Sequence, residues 1–213
     1  MLRKLLLGNW LLITCLIAGA EPIIVPKSCE DSASSRILII NSFDAMALKV
    51  RKNKRELFRD LADTLKIFLA RQIQTHLEME PVLEPGIVSQ DGQSDSLALE
   101  IMKRKNLATL IIIKDLDVYF DQTDVEVEKE GGTKTRTASY DICSKITYAI
   151  YRDTVKIGER PFLRCSYFTK RKVASGLLAA GPDVVGKSKH VIKEVEKNAA
   201  EWVWVSRSML TAR

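Results

Sequence analysis

The chain has 213 residues, of which 46% are hydrophobic and 28% charged, and its formal net charge is +6. A hydrophobic share of nearly one half excludes a chain that is disordered throughout, and the length suits one domain of moderate size. The basic excess is mild, and mild excess is weak evidence for nucleic-acid binding. We therefore expect no nucleic-acid partner.

Residues 1–20 have the pattern of an export signal. Arg3 and Lys4 precede an apolar run, and Ala18-Gly19-Ala20 supplies the small residues that a signal peptidase accepts. The uninterrupted apolar run is shorter than the ~20 residues that span a bilayer, so it does not predict a transmembrane anchor. We expect cleavage after Ala20 and a protein that is exported to the periplasm or cell envelope.

A lipoprotein is the alternative interpretation of this start. Cys15 would then carry the lipid and provide the only membrane contact, although Thr14 is larger than the residue usual before a lipidated cysteine. Residues 21–35 follow with two prolines and a serine-rich end, which predicts a flexible leader. Residues 36–213 are then expected to form a single mixed α/β domain.

The first half of this domain alternates strands and helices. Ile37–Phe43 is a continuous apolar run of strand length, and leucines, isoleucines and phenylalanines recur at helical spacing from Leu57 to Leu77. Pro81 is expected to end that helix. A short strand within Val82–Val88 and a helix from Ser94 to Asn106 come next.

Consecutive strands fill most of the second half. Ala108–Phe120 predicts a long strand, and Asp124–Lys129 alternates valine with acidic residues, so that one side of it faces water. Gly131-Gly132 predicts a hairpin turn, and a second hairpin is expected at Asp153–Val155. The resulting order is β-α-β-α-β, then an antiparallel meander and a closing C-terminal helix. This order predicts a mixed sheet with helices packed on it.

The closing helix has a clear division into two sides. Its apolar side contains Val184, Val191, Ile192, Val195, Ala199, Trp202 and Val203, and its polar side is expected to contain Lys187, Lys189, Lys193, Glu194 and Lys197. Trp202 and Trp204 lie about 200° apart around the helix axis, so we expect one to be buried and the other partly exposed. Trp202, Trp204 and Arg207 are the candidate protein-contact residues.

Three cysteines remain after signal cleavage, and their spacing excludes a zinc ribbon or finger. If the second hairpin turns at Asp153–Val155, Cys143 and Cys165 lie directly opposite each other and are a candidate disulfide pair. The alternative is two small apolar side chains packed across the hairpin. The spacing does not decide between the two, and Cys29 has no evident mate.

Few residues suggest a reaction. Asp115 and Asp117 flank Leu116 on one side of a strand and could bind a cation or act in glycoside hydrolysis, but such a pair is more often simply solvated. His76 and His190 are expected to be exposed, no G-x-S-x-G surrounds a serine, and no zinc or calcium motif occurs. We predict no catalytic, metal-binding or cofactor-binding residue.

Gly181–Ser188, GPDVVGKS, matches the phosphate-loop pattern. A working phosphate loop follows a buried strand and needs a later strand for its magnesium-binding aspartate. The preceding residues RKVASGLLAA are not typical of a central strand, and the pattern after Ser188 predicts only a helix. We interpret the stretch as a helix start, with Asp183 as the cap.

Three features carry a resemblance to a known family: the strand pair ITYAIYRDTVKIGERPF, Gly186 at the opening of the last helix, and the terminal EWVWVSRSML with Trp204 and Arg207. Through them the chain from about Arg36 to Leu210 resembles a family of uncharacterised envelope proteins from gut bacteria. The element order resembles the periplasmic α/β fold of the amino-terminal domain of the Tol-system translocation protein and of curli-secretion lipoproteins. The resemblance implies a fold and a compartment and brings no catalytic residue.

Two functional hypotheses follow. The first is a non-catalytic envelope module that binds another envelope protein or a surface component, with self-association as one form of such binding and no cofactor. The alternative is an enzyme, either a hydrolase that uses Asp115 and Asp117 or a nucleotide-binding enzyme that uses Gly181–Ser188.

Overall fold

The computed structural model describes residues 36–87, 93–130, 133–173 and 182–211, all within one compact unit, Ser32–Arg213. The predicted signal at 1–20, the leader at 21–35 and the Gly131-Gly132 turn lie outside the described residues. The described helices and strands form a mixed α/β fold, in the order that the sequence predicted.

Five strands form one sheet: β1 Arg36–Asn41, β2 Glu80–Leu83, β3 Thr109–Glu130, β4 Thr133–Arg152 and β5 Val155–Val173. The helices are α1 Lys52–Leu77, α2 Ser94–Arg104, α3 Ser188–Val205 and α4 Arg207–Thr211. Among the described residues, none of the helices is both long and apolar enough to cross a membrane.

The strand order across the sheet is β2-β1-β3-β4-β5. β1 pairs in parallel with β2 and β3, whereas β3–β4 and β4–β5 are antiparallel. A parallel neighbour needs a crossover connection and an antiparallel neighbour needs only a hairpin, which is why helices separate the first three strands and not the last three.

Helices cover both faces of the sheet at β1. Ile37 and Ile39 pack in one apolar cluster with α1 and α3, while Leu38 and Ile40 pack in a second cluster with α2. Burial on both faces explains the continuous apolar run of β1. α2 is short, and beyond β1 it reaches the start of β3 and the end of β4, whose Leu110, Ile112, Ala149 and Tyr151 belong to the same cluster.

Both ends of the first long helix differ from the sequence prediction. α1 begins at Lys52, so part of the expected basic connection is helical, and it ends at Leu77, after which Glu78 adopts the left-handed conformation with φ of 57°. Pro81 does not end the helix, because it lies inside β2. β2 is an edge strand, and an edge strand tolerates a residue without an N–H group.

β3 is a single long strand rather than two. Register shifts relative to β4 leave Lys114 and Thr123 as extra residues, so each marks a β-bulge. The first bulge turns the Lys114 side chain towards α2, where its ammonium group binds Asp95. The second bulge interrupts the alternation of the sequence, which is why the predicted strands had a gap between Phe120 and Asp124.

The β4–β5 hairpin has the predicted register but a different turn. Asp153 and Thr154 form a two-residue connection with φ of 47° and 71°, the signs of a type I′ turn. Ile157 is then an extra residue, since Tyr151 pairs with Lys156 and Ile150 with Gly158. The shorter turn and the bulge compensate, so that Cys143 lies opposite Cys165, and a disulfide joins them in the structure.

We expect this disulfide to contribute about 3 kcal/mol to the free energy of unfolding, because it closes a loop with a sequence separation of 22 residues in the unfolded chain. Urea unfolding of the oxidised protein with and without a reductant measures the contribution. A Cys143→Ser/Cys165→Ser variant is the control and should match the reduced protein with either treatment. Equal stability of oxidised and reduced wild type would contradict the prediction.

Candidate binding surfaces

Buried polar contacts fix α3 on the last two strands. Glu194 is only 2% exposed, and its carboxylate accepts hydrogen bonds from the Arg164 guanidinium and from the Ser166 hydroxyl at 2.7 Å. Arg164 also donates to Glu201 at 3.0 Å. The expectation that Glu194 lies on the polar, solvated side of the helix was wrong, because a buried carboxylate is tolerated where a guanidinium and a hydroxyl satisfy it.

Asn198, one turn further along α3, makes a second set of buried contacts. Its side-chain NH₂ group donates to the Ser144 carbonyl and hydroxyl, both at 3.0 Å, and its oxygen accepts from the Tyr148 hydroxyl at 3.2 Å. The Tyr148 ring stacks on Trp202 with ring centroids 4.0 Å apart. Burial raises the pKa of Tyr148 well above its ordinary value, so this hydroxyl remains a donor.

The two tryptophans have opposite environments. Trp202 is 2% exposed and Trp204 is 68% exposed, beside Val205, which is also exposed. Trp202 is therefore a core residue and is not available to a partner. Arg207, at the start of α4, is exposed. Of the three predicted contact residues, Trp204 and Arg207 thus lie at the surface.

A second surface is the side of β3–β5 that faces away from α1 and α3, which we call the meander face. α2 covers its start and, within the described part of the chain, no other helix packs on it. β3 contributes Asp115, Asp117, Tyr119, Asp121, Asp124, Glu126 and Glu128 to this face, and β4 contributes Thr137, Ser139, Asp141, Cys143, Lys145 and Thr147. β5 contributes Pro161, Leu163, Cys165, Tyr167 and Lys170.

The predicted carboxylate pair lies on the meander face. Asp115 and Asp117 are both exposed, opposite Thr147 and Lys145 of β4, and Asp115 accepts a hydrogen bond from the backbone N–H of Leu116 at 2.9 Å. Among the described residues, no group of three or more histidine, cysteine or acidic side chains could hold a metal ion. The pair is therefore part of an open acidic surface rather than of an enclosed site.

Most of the phosphate-loop look-alike is described, from Pro182 to Ser188, and Gly181 lies outside the described residues. Asp183 caps a turn of 3-10 helix at Val185–Lys187, since its carboxylate accepts from the N–H groups of Val185 and Gly186 at 3.4 and 3.2 Å. The Asp183 carboxylate thus already binds backbone N–H groups that would be needed to bind a phosphate. The preceding strand, β5, is an antiparallel edge strand, which also argues against nucleotide binding.

His76 and His190 are both exposed, and His190 contacts the Phe168 ring edge-on at 5.0 Å between centroids. Two shallow clefts occur among the described residues, of about 390 and 220 Å³. The larger is lined by Ile87, Leu97, Glu100, Ile101 and Arg104. The smaller lies at the start of β5, and its lining includes Gly158, Tyr148 and Trp202.

A polar cluster holds α2 on the sheet. Asp95 binds Lys114 of β3 and accepts a hydrogen bond from the Tyr151 hydroxyl of β4 at 2.6 Å. Burial acts to raise the pKa of Asp95, but the hydrogen bonds from Lys114 and Tyr151 outweigh it and leave that pKa below its usual value. Burial and the bond to Asp95 raise the pKa of Tyr151 to about 12.

Sequence reasoning missed the polar contacts of α3. Glu194, Asn198 and Glu201 recur at spacings of four and three, so they share one helix face, and this spacing was the available signal. Their partners on β4 and β5 are distant in sequence. The acidic alternation of β3 was recognised, but which face of the sheet the helices leave uncovered was not predicted.

No protein-family model matches the chain, and no curated protein matches its sequence. Solved structures that match include a minor lipoprotein from Acinetobacter baumannii, with a TM-score of 0.38 and 9% identity over 83% of this chain and 93% of that chain. A Helicobacter pylori protein, described as a homologue of a neuraminyllactose-binding hemagglutinin, has a TM-score of 0.38 and 10% identity over 82% and 85%. Rare lipoprotein B from Shewanella oneidensis has a TM-score of 0.33 and 8% identity over 82% and 92%.

Two of these three structures are bacterial lipoproteins by name, as is a lipoprotein B from Nitrosomonas europaea with a TM-score of 0.29 and 12% identity over 85% and 90%. All four TM-scores are below 0.5, and likenesses at this level carry no argument about function.

Replacing Arg164 with methionine should destabilise the protein by about 3 kcal/mol, because it leaves the Glu194 carboxylate buried without its cation. The double variant Arg164→Met/Glu194→Met should recover most of this loss, since no buried charge remains. Urea unfolding of the two single variants and the double variant gives the coupling energy. Lys156→Met, which breaks the partly exposed pair with Glu159, is the control and should cost no more than about 1 kcal/mol.

Tyr151→Phe should cost about 1 kcal/mol at neutral pH, because it removes the hydrogen bond to Asp95. The folded pKa of about 12 lies above the ordinary value of 10.0, so this stabilisation is present below about pH 10 and is lost as the pH rises through about 12. The difference in unfolding free energy between wild type and variant should therefore stay constant up to about pH 9 and narrow between about pH 10 and about pH 12. Parallel pH profiles of the two proteins would show that the Tyr151 hydroxyl is not stabilised in this way.

Proposed function

We propose that this protein is a non-catalytic binding module of the cell envelope, and that its contact with another envelope protein is centred on Trp204. The observation that carries the proposal is the 68% exposure of this side chain on a helix held in place by buried contacts. A large exposed aromatic residue is costly in water and is typical of the centre of protein interfaces. A fixed helix also presents it without a large loss of entropy on binding.

The compartment in this proposal is supported by the amino-terminal sequence. The basic start, the apolar run and the small residues before position 21 are those of an export signal. The resemblance to the gut-bacterial family of envelope proteins supports the same compartment. We place the mature protein in the periplasm or at the cell envelope, with its amino terminus either cleaved or lipidated at Cys15.

Binding suits this surface better than catalysis. The candidate carboxylates Asp115 and Asp117 are exposed, and neither lines either of the two clefts found among the described residues, whereas a substrate site is usually a cleft that excludes water. The look-alike phosphate loop has an aspartate on its amides. Both features of the alternative enzyme hypothesis thus have ordinary structural roles.

Site-specific photocrosslinking tests the proposed contact. A benzophenone amino acid at position 204 should give one defined adduct in the envelope fraction, and the same probe at Ile67, an exposed apolar position on α1, should not give it. Excess unlabelled wild type should suppress the adduct. Trp204→Ala should compete at least tenfold less well, because a central aromatic residue contributes about 2 kcal/mol or more to binding.

The melting temperature of Trp204→Ala should equal that of wild type, since the removed side chain is exposed. Ile67→Ala is the matched control and should compete like wild type. The proposal is overturned if Trp204→Ala competes as well as wild type, or if probes at positions 204 and 67 give the same adducts. Sedimentation of the crosslinked species distinguishes a second copy of the chain from a different protein.

A further inference from the structure

The meander face is organised in rows that run across three strands. One row is Asp117, Lys145 and Leu163, the next is Tyr119, Cys143 and Cys165, and the third is Asp121, Asp141 and Tyr167. Across each row the side chains change from mostly acidic on β3 to apolar or aromatic on β5. The face therefore has an acidic side and an apolar side, separated by β4 and its disulfide.

The apolar side is open to solvent. Leu163 is 55% exposed and Tyr167 is 64% exposed, on either side of Cys165. The solvated face of an antiparallel sheet normally carries polar residues, so two large, exposed apolar side chains on one strand of that face are unusual. Such a strip beside charged residues is typical of a surface that another molecule covers.

The acidic side has little internal compensation. The described side chains of the meander face include seven carboxylates, against the lysines Lys145 and Lys170, and the register places one further lysine, Lys172, opposite Thr137. Only Glu126, which binds Lys170 at 2.9 Å, has an ion pair among the described residues. This local charge is opposite in sign to the formal net charge of the chain, +6.

Asp121 and Asp141 lie directly opposite each other on neighbouring strands. Like charges at such a position destabilise a sheet, and a basic residue would serve the fold better. A local arrangement that opposes stability indicates that another requirement selects it. A cationic group placed above both carboxylates removes the repulsion.

We propose that the meander face binds a lysine- or arginine-rich polypeptide whose apolar side chains lie against Leu163 and Tyr167. Charge complementarity selects a basic occupant, and the strip on β5 selects one with apolar side chains. The face lies on the opposite side of the sheet from α3, so the contact is separate from that of Trp204 and does not depend on it.

Fluorescence anisotropy tests the proposal with a short, labelled, lysine-rich peptide that carries phenylalanine at every fourth position. The peptide should bind the oxidised full-length protein, although both are cationic, and binding should weaken as salt is raised. A peptide with glutamate in place of lysine should not bind. A lysine peptide without phenylalanine should bind several-fold more weakly.

Asp121→Asn/Asp141→Asn is the decisive variant, because its two expected effects have opposite signs. It should bind the phenylalanine-containing peptide about three- to tenfold more weakly, since two exposed ion pairs are lost. Its melting temperature should be unchanged or higher, since the cross-strand repulsion is removed. Misfolding of the variant would instead lower both its affinity for the peptide and its melting temperature.

The matched control is Glu56→Gln/Asp60→Asn, which removes two exposed carboxylates from α1. It should bind like wild type. Equal affinity of the Asp121/Asp141 variant and wild type would overturn the proposal, as would an equal loss in the α1 control. The wild-type protein could also form a concentration-dependent dimer in the absence of peptide. If the Asp121/Asp141 substitutions abolished that dimer, a second copy of the chain would be the occupant and the proposal would be overturned.

Discussion

The register of β4 against β5 is the constraint on which the other features of this structure depend. Arg164 and Ser166 face α3 and bind Glu194, while Cys165 between them faces the other way and bonds to Cys143. Side chains alternate along a strand, so a slip of one residue would exchange these faces. It would bury Cys165 under the helix and remove both partners of a buried carboxylate. The disulfide and the ion pair therefore select the same register from opposite sides of the sheet.

The alternation of β4 also separates the core side of the sheet from the meander face. Ile146, Tyr148 and Ile150 pack under α1 and α3, whereas Asp141, Cys143 and Lys145 lie on the meander face. β4 has no extra residue in its pairings, and the bulges fall on β3 and β5. β4 is the middle strand of the β3–β4–β5 meander and has no bulge, so its side chains keep to the same two faces over its whole length, while the bulges in β3 and β5 accommodate the twist.

The sequence predicted this fold to the extent that its signals were local. The continuous run Ile37–Phe43, the helical spacing from Leu57 to Leu77 and the alternation after Ala108 gave the element types and their order. The register of the two cysteines was predicted although the predicted turn was wrong. A longer turn without a bulge and a two-residue turn followed by a bulge at Ile157 both place Cys143 opposite Cys165. Local pattern thus determined the pairing but not how the chain reaches it.

What the sequence did not predict depends on distant partners. The sequence predicted a solvated Glu194 because its neighbours Lys193 and Lys197 are polar. Its burial is permitted by Arg164, which lies on β5 and is distant in sequence. The composition of the meander face also depends on residues that are distant in sequence. An acidic alternation on β3 indicates a side that meets water, but the apolar strip of Leu163 and Tyr167 joins it only through the β4 pairing, and the short length of α2 leaves both uncovered.

The two proposed contacts have a common mechanical origin although they lie on different elements. Trp204 belongs to α3, which buried polar groups tie to β4 and β5, and the meander face is the reverse side of those same strands. Because both surfaces rest on rigid secondary structure, neither needs a loop to become ordered before a partner binds. The fold can therefore hold one partner at the helix end and a second on the sheet with a fixed geometry between them. Together the two proposals describe a module that joins two polypeptides rather than one that chemically changes either of them.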